Sequence, residues 1–404
     1  MEWKEFETTF SVKLNQQQKE AVQSTKGPVL LLAVPGSGKT TVLVTRLGYM
    51  IYCRNIPPES ILTVTYTVAA TKDMSERFAV RFGEDMAKRL EFRTINGICA
   101  MIIQYYGRRI GKTPFELVKD EKATTGMLIK ICQDHGMGYP TESDLKNVRT
   151  LITYIKNMML NEEELQKLEE ESDIRIAGIY REYCRQMREQ KLMDYDDQML
   201  YAYNILRKDP GVLAYFQNRY PYICVDEAQD TSKIQHAIIA LLAAGTDNLF
   251  MVGDVKQSIY RFRLSRPELF MGKYNSYSTR ESSRQRIDLD RNFRSRGEVL
   301  DSTNYIFRKL MRKEFGEIIY DDKAALHLGA SFPELPDENV FTDQTELLLY
   351  NQTGLRSSEA REEEARMIAQ RMKELLNTGV VLDKETGEYR PVHYRDMVIL
   401  TRSL

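Results

Sequence analysis

The sequence predicts an α/β fold: a parallel sheet with a helical stretch set into it, followed by part of a second α/β lobe. Three observations carry that prediction. Short apolar runs bounded by turn residues recur at 29–33, 61–66, 222–225 and 249–253, as buried parallel strands require. A glycine-rich turn follows the first of them and opens a helix. From about residue 105 to 200 glycine and strand signals thin out, and Val148, Leu151, Ile155 and Met158 mark one helix face. The chain has 404 residues, enough for two or three domains with real cores. The spacing divides it into a first lobe (1–104 with 202–282), an all-helical insertion (105–201) and part of a second lobe (283–404).

Taken in order, Asn15-Gln16-Gln17-Gln18 comes first, with Ala21 and Val22 on one helical face. Just ahead of a phosphate loop, an amide presents a donor and an acceptor to an adenine edge, and Gln18 is the candidate. The strand Val29-Leu30-Leu31-Leu32-Ala33 then runs through Val34 into Pro35-Gly36-Ser37-Gly38-Lys39-Thr40-Thr41. The helix that starts there has Leu43, Leu47, Met50 and Ile51 on its apolar face. Glycines let the backbone curl so that N–H groups converge on a phosphate, and the helix N-terminus adds positive potential. In this frame Lys39 reaches the outer phosphates and Thr40 offers its hydroxyl to Mg²⁺. The strict pattern has Gly where Ala33 stands, so the match is to the relaxed form. Residues 35–41 therefore form a nucleoside triphosphate cradle.

Ile61-Leu62-Thr63-Val64-Thr65-Tyr66 reads as a second buried strand, followed by a helix over 69–81 carrying Lys72, Arg77 and Arg81. A third short strand includes Phe92-Arg93-Thr94-Ile95-Asn96. Ligands of a parallel sheet collect at the carboxyl ends of its strands. Thr65, Tyr66, Thr94 and Asn96 would share that rim, where small polar groups and an aromatic suit a phosphodiester backbone and a stacked base. Judged alone, such threonines more often cap helices. The acidic run 162–171 reads as a solvated helix surface, and Asp194, Asp196 and Asp197 as caps of the helix that follows them.

The second strong signal is Tyr222-Ile223-Cys224-Val225-Asp226-Glu227-Ala228-Gln229-Asp230. A buried strand delivers Asp226 to its end, where it can hold Mg²⁺, and Glu227 is placed to orient or deprotonate an attacking water. The next strand, 249–254, leads to Gln257, which can sense a terminal phosphate. Tyr260 and Phe262 follow within a turn and can stack on bases. Residues 276–285 are polar and Ser-rich, a hinge by composition. A second sheet is expected to begin at Arg286-Ile287-Asp288-Leu289, followed by Arg291-Asn292-Phe293-Arg294-Ser295. Arg294 is the candidate arginine finger and Phe293 the ring that stacks on adenine. Further strands are expected at 345–350 and 397–401, flanking a helix with Ala365, Ile368, Met372 and Leu375 on one face.

The bulk numbers exclude several classes. The formal net charge is −1, so any nucleic-acid surface must be local. Five scattered cysteines without CxxC pairing, and four dispersed histidines, suggest reduced thiols of a cytoplasmic protein and no zinc or iron–sulfur centre. The first residues carry Glu and Lys with no apolar leader, and no run of about 18 apolar residues is present for a membrane span.

With these residues in place, the chain resembles superfamily 1 DNA helicases of the UvrD/Rep/PcrA type, matching in order the Q motif and motifs I, Ia, Ib, II, III and IV. The stretch 253–264, with Arg291–Ser295 and Tyr394–Arg402, is most similar to the AddA helicase-nuclease subunit, while Gln18 and the phosphate loop look more like the UvrD branch. The resemblance implies two RecA-like lobes with Mg²⁺ and ATP in a cleft. It also implies 3′-to-5′ movement on single-stranded DNA, action on duplex DNA, and, on the AddA side, a partnering second helicase-nuclease subunit. Val68 replaces the Asn usual in motif Ia, and Asn96 stands where His is usual in motif Ib. Motifs V and VI are not found, so the expectation is a fragment that binds nucleotide and hydrolyses it poorly. The competing expectation is a nucleotide-gated clamp that holds DNA without unwinding it.

Overall fold

A computed structural model describes residues 1–120, 122–258, 264–279, 283–312, 319–334, 344–383 and 386–401. The chain forms two units, Met1–Leu289 and Asp290–Leu404. The first begins with helices α1 (Trp3–Thr9) and α2 (Gln16–Gln23), then strand β1 (Val29–Ala33), α3 (Lys39–Tyr52) and β2 (Ile61–Thr65). Next come α4 (Val68–Phe82), α5 (Glu84–Arg89), β3 (Glu91–Thr94) and α6 (Ile95–Ile110). A helical excursion holds β4 (Glu116–Leu117), α7 (Lys122–Asp134), α8 (Glu142–Met158), α9 (Glu162–Glu171), α10 (Ile176–Glu189) and β5 (Leu192–Met193). The chain returns through α11 (Tyr195–Lys208), α12 (Pro210–Arg219), β6 (Tyr222–Val225), α13 (Lys233–Ala243), β7 (Leu249–Gly253), α14 (Pro267–Ser276) and β8 (Gln285–Leu289).

Six strands form one all-parallel sheet in the order β3-β2-β6-β7-β1-β8. Both faces are covered, and the side chains divide by the period of two. Leu30, Ile223, Val225, Leu249 and Met251 enter a core shared with α6, α11 and α13. Val29, Leu31, Cys224, Phe250 and Val252 enter the opposite core with α3 and α4. All strands being parallel, their carboxyl ends line one edge. Because β7 lies between β1 and β6, whatever follows β7 sits between whatever follows the other two.

Three expectations are corrected. The strand at 286–289 does not begin a second sheet. It is β8, paired in register with β1 from Val29↔Gln285 to Ala33↔Leu289, with Ile287 and Leu289 buried in the α3-side core. Alternation marks a strand but carries no information about which sheet accepts it. The insertion limits at 105 and 201 fall inside α6 and α11. These two helices pack on the main sheet through Ile98, Ile102, Met199 and Ala202, so the excursion's separate core is built from α7 to α10, with Leu128, Val148, Ile155, Ile179 and Tyr183. Finally, 345–350 and 397–401 form no strands. Leu347, Leu349 and Leu400 are exposed, and no neighbouring backbone among the described residues pairs with them.

In the second unit, a two-stranded parallel pair joins Arg291–Asn292 to His327–Leu328, and helix Gly297–Leu310 packs against it. Helix Ser357–Thr378 precedes an antiparallel pair, Val380–Leu382 with Tyr389–Pro391. No helix among the described residues is long and apolar enough to cross a membrane.

Candidate functional site

The phosphate loop leaves β1 at Val34, whose N–H donates to the Leu289 carbonyl (3.2 Å). Gly36 and Gly38 take φ of +73° and +84°, the left-handed region that glycine enters without a Cβ penalty. Ser37 N–H donates back to Val34 O at 3.1 Å, and Val42 N–H to Gly38 O at 2.9 Å begins α3, with Lys39 as its first residue. Pro35, Gly36 and Thr40 are half-buried and Thr41 exposed at the helix start. The Ser37 hydroxyl is buried and has no partner among the described residues, an unsatisfied polar atom within the loop itself.

Gln18 lies against this loop. Its Oε1 accepts from Asn15 N–H (3.0 Å) in a capping box, and its Nε2 donates to the Ser37 carbonyl (2.9 Å). The amide thus supports the loop first; one N–H of Nε2 is left over for a base. Arg46, which sequence reasoning passed over, fixes the helix that carries it. Its buried guanidinium donates to the Ala21 carbonyl (3.0 Å) and to the Ser24 carbonyl, and lies 4.0 Å over the Phe250 ring. Burial lowers its pKa. An arginine inside an amphipathic helix looks like surface, so only packing reveals it.

The acidic turn follows β6. Asp226 N–H donates to Val64 O (3.0 Å), and the Asp226 carboxylate accepts from Glu227 N–H (3.0 Å). Glu227 adopts φ +50°, ψ +44°, an uncommon conformation for a residue with a side chain. Its carboxylate receives Lys39 Nζ at 3.1 and 3.2 Å, and Lys39 Nζ also donates to Gln257 Oε1 at 3.3 Å. The residues after β1, β6 and β7 therefore meet, as the strand order dictates. Burial, with Glu227 adding repulsion, pushes the Asp226 carboxyl up to about 6. Asp230, burdened by the same two causes, is also pushed up to about 6.

The fit to Mg²⁺ and a triphosphate can be judged from these groups. The Glu227 carboxylate on Lys39 stands where phosphate oxygens would stand, and Mg²⁺ characteristically takes one or two carboxylates beside substrate phosphates. Asp226 and the Thr40 hydroxyl would be the donors, and among the described residues no group of three or more His, Cys, Asp or Glu gathers. The residues fit.

The expected nucleic-acid rim is only partly available. Thr65 and Thr94 are cross-strand partners at the ends of β2 and β3. Thr65 is buried, however, and its hydroxyl is engaged by Thr67 O (3.1 Å) and Thr71 Oγ1 (2.6 Å). Thr94 caps α6, accepting from Gly97 N–H at 3.1 Å. The Thr65 hydroxyl is thus turned inward, while Thr94, half-buried, keeps its O–H donor. Tyr66 is half-buried at the turn, Val68 is exposed in the first turn of α4, and Asn96 keeps a buried Oδ1 without a partner. Tyr260 and Phe262 lie outside the described residues. The residues flanking them are tied to the acidic turn: Ser258 Oγ reaches Gln229 O (3.5 Å), and Arg266 N–H donates to Thr231 O (3.0 Å).

Within the second unit, Asn292 Oδ1 accepts from Arg294 and Ser295 N–H, each at 2.8 Å, and this turn holds Arg294 and Phe293 exposed. Sequence reasoning also missed Gln229 and Asp254, although each lies beside a chosen residue. A polar group within a strand-end motif was the available signal.

The sequence matches known proteins. Residues 14–278 match the family model described as the UvrD/REP helicase N-terminal domain. The A subunit of an ATP-dependent helicase/nuclease from Bacillus cereus (strain AH820) is 41% identical over 249 residues, covering 57% of this chain and 20% of the relative. Its counterpart in Bacillus cytotoxicus is 48% identical over 208 residues, 49% of this chain and 17% of that protein. A third, from Clostridium beijerinckii, is 42% identical over 237 residues, 52% and 18% respectively. The matched region thus spans about a fifth of the length of these curated relatives. With the phosphate loop, the acidic turn and the glutamine after β7 on adjoining strands, and the family model covering well over half the chain, this protein belongs to the UvrD/REP helicase family.

Proposed function

We propose that the chain is the ATP-hydrolysing part of a cytoplasmic DNA helicase that moves 3′-to-5′ on single-stranded DNA and opens duplexes in repair or recombination. The observation that carries this reading is the meeting of Lys39 with both Glu227 and Gln257 at the edge of one sheet. The loop N–H groups and Lys39 take the phosphates, and Gln18 offers its remaining amide N–H to adenine. Asp226 and Thr40 hold Mg²⁺. Bound there, the ion would supply positive charge to offset the negative charge of phosphoryl transfer. When Lys39 exchanges the Glu227 carboxylate for phosphate oxygens, Glu227 is freed to orient or deprotonate water. Gln257 is released at the same time to read the terminal phosphate.

Arg294 is assigned as the finger that stabilises that phosphate, and Phe293 as the adenine stack, on the strength of their exposed turn. Tyr66, Asn96 and the segment of Tyr260 and Phe262 are the proposed strand contacts. The relatives' name, which makes each of them one component of a helicase/nuclease, suggests a second protein chain as partner.

Mg·ATP binding and phosphate release, measured with and without an oligothymidylate, test the reading. Lys39→Ala should weaken nucleotide binding by about tenfold or more, whereas Glu227→Gln should keep affinity within roughly threefold and lose turnover. Turnover indifferent to Glu227→Gln would refute the motor and leave a nucleotide-gated DNA clamp.

A further inference from the structure

Gln229 is almost fully buried beside the catalytic turn, and both ends of its amide are committed. Nε2 donates to Glu227 Oε2 at 2.6 Å and faces Asp230 Oδ2 at 3.2 Å. Oε1 accepts from the Asp254 N–H at 3.2 Å. Asp254 in turn accepts from Gln257 Nε2 (3.0 Å), and Gln257 accepts from Lys39 Nζ. Followed around, these bonds close a ring: Lys39, Glu227, Gln229, Asp254, Gln257 and back to Lys39.

The ring is built tightly at Gly253. A Cβ there would come within 2.5 Å of Gln229 Oε1 and 2.7 Å of the Phe270 ring, so glycine at the end of β7 is what lets the amide reach the Asp254 backbone. On the other side, Glu227 adopts a left-handed backbone conformation. Lys39 and Gln229 grip that carboxylate from two directions. If a phosphate takes Lys39 away, the Gln229 donor is the grip that remains.

We infer that Gln229 is a positioning residue for hydrolysis: it holds the Glu227 carboxylate for the attacking water and ties it, through Asp254, to Gln257 after β7. Because both ends of its amide are bonded to protein, Gln229 acts only through Glu227 and Asp254. The inference rests on the assignment of Glu227 as the residue that activates water. It adds a physical link between the acidic turn and Gln257, next to Ser258 and Arg266, which bond to residues 229 and 231.

Single-turnover hydrolysis of Mg·ATP with protein in excess tests this, alongside nucleotide affinity and thermal unfolding. Gln229→Met, similar in volume but without either bond, should slow hydrolysis by about 10- to 100-fold with affinity little changed. Gln229→Glu keeps an acceptor for Asp254 N–H and loses the donor toward Glu227. Equal slowing in this variant supports positioning, whereas recovery by Gln229→Glu would mean the side chain merely anchors β7 and would overturn the inference. The same holds in a second background. With Glu227→Gln already present, adding Gln229→Met should cost no more than about twofold, because a residue acting through Glu227 has nothing left to position. A full additional loss there would also overturn it. A wild-type chain that binds Mg·ATP and never hydrolyses it would sink the hydrolytic reading and this inference together. Unimpaired Gln229→Met with an impaired Glu227→Gln would sink this inference alone.

Discussion

Lys156 gives the sharpest stability test. Its side chain is wholly buried in α8, with Nζ 2.6 Å from Asp194 Oδ2 and 2.7 Å from Asp197 Oδ1 at the start of α11. Burial alone would depress the ammonium, but the two carboxylates outweigh it and its pKa is raised. Lys156→Met keeps most of the volume and strands the acids. Breaking a buried pair by removing one partner costs about 3–5 kcal/mol, mostly from the uncompensated charge left behind. Asp197 is buried and bears most of that cost. Asp194 is partly open to water and keeps bonds from Asp197 N–H and the Tyr183 hydroxyl, so the lower end, about 3 kcal/mol, is expected. For a unit of this size that is a fall in Tm of roughly 5 °C.

Thermal unfolding followed by circular dichroism at pH 7.5 and 5.5 would measure it. Losing Lys156 raises the carboxyl pKa values in the folded state, so protonation favours the fold and the deficit should shrink as pH falls. Adding Asp197→Asn should recover more than half of it. A loss under about 1 kcal/mol, unchanged between the two pH values, would mean that water already solvates this cluster and would refute the argument.

Two further outcomes follow from the sheet. Asp226, raised from 3.8 to about 6, binds its proton more tightly folded than unfolded. Its ionisation therefore costs the fold about 3 kcal/mol above pH 6, relieved as pH drops toward 3.8. Asp226→Asn should be the more stable protein at pH 7.5 in chelator, with the advantage shrinking to about 1 kcal/mol by pH 4.5. Mg²⁺-dependent nucleotide binding by the wild type should fall through pH 6, and a flat profile in titration calorimetry would contradict this. At Gly48, in α3, an added Cβ would come within 2.3 Å of the Phe82 ring. Gly48→Ala should thus lose about 1–3 kcal/mol in denaturant unfolding despite alanine's better helix propensity.

Much of the site was legible because its chemistry is local. The loop 35–41 needs glycine at two left-handed positions and a lysine at the head of a helix, and those requirements lie within a few residues of one another. Asp226 and Glu227 were legible for the same reason, as the polar ending of an apolar strand. The threonines were harder. Thr65 and Thr94 sit at the expected strand ends, yet their hydroxyls serve the turn and the helix cap, a competition that neighbouring backbone donors and acceptors decide. The strand at 285–289 was visible as a strand and assigned to the wrong sheet, because its partner β1 lies more than 250 residues earlier.

By itself, then, the sequence determined the α/β class, the glycine-rich turn that opens α3 and the acidic ending of β6, all of which follow from periodicity and short-range backbone demands. Tertiary structure decided what no local pattern encodes. The strand order puts β7 between β1 and β6, and so brings Lys39, Glu227 and Gln257 within hydrogen-bond reach across a sequence separation of more than 180 residues. Packing alone decided that Gln229 and Arg46 would be buried with their hydrogen bonds made to the protein, since whether a polar side chain faces solvent or a partner depends on which elements close over it.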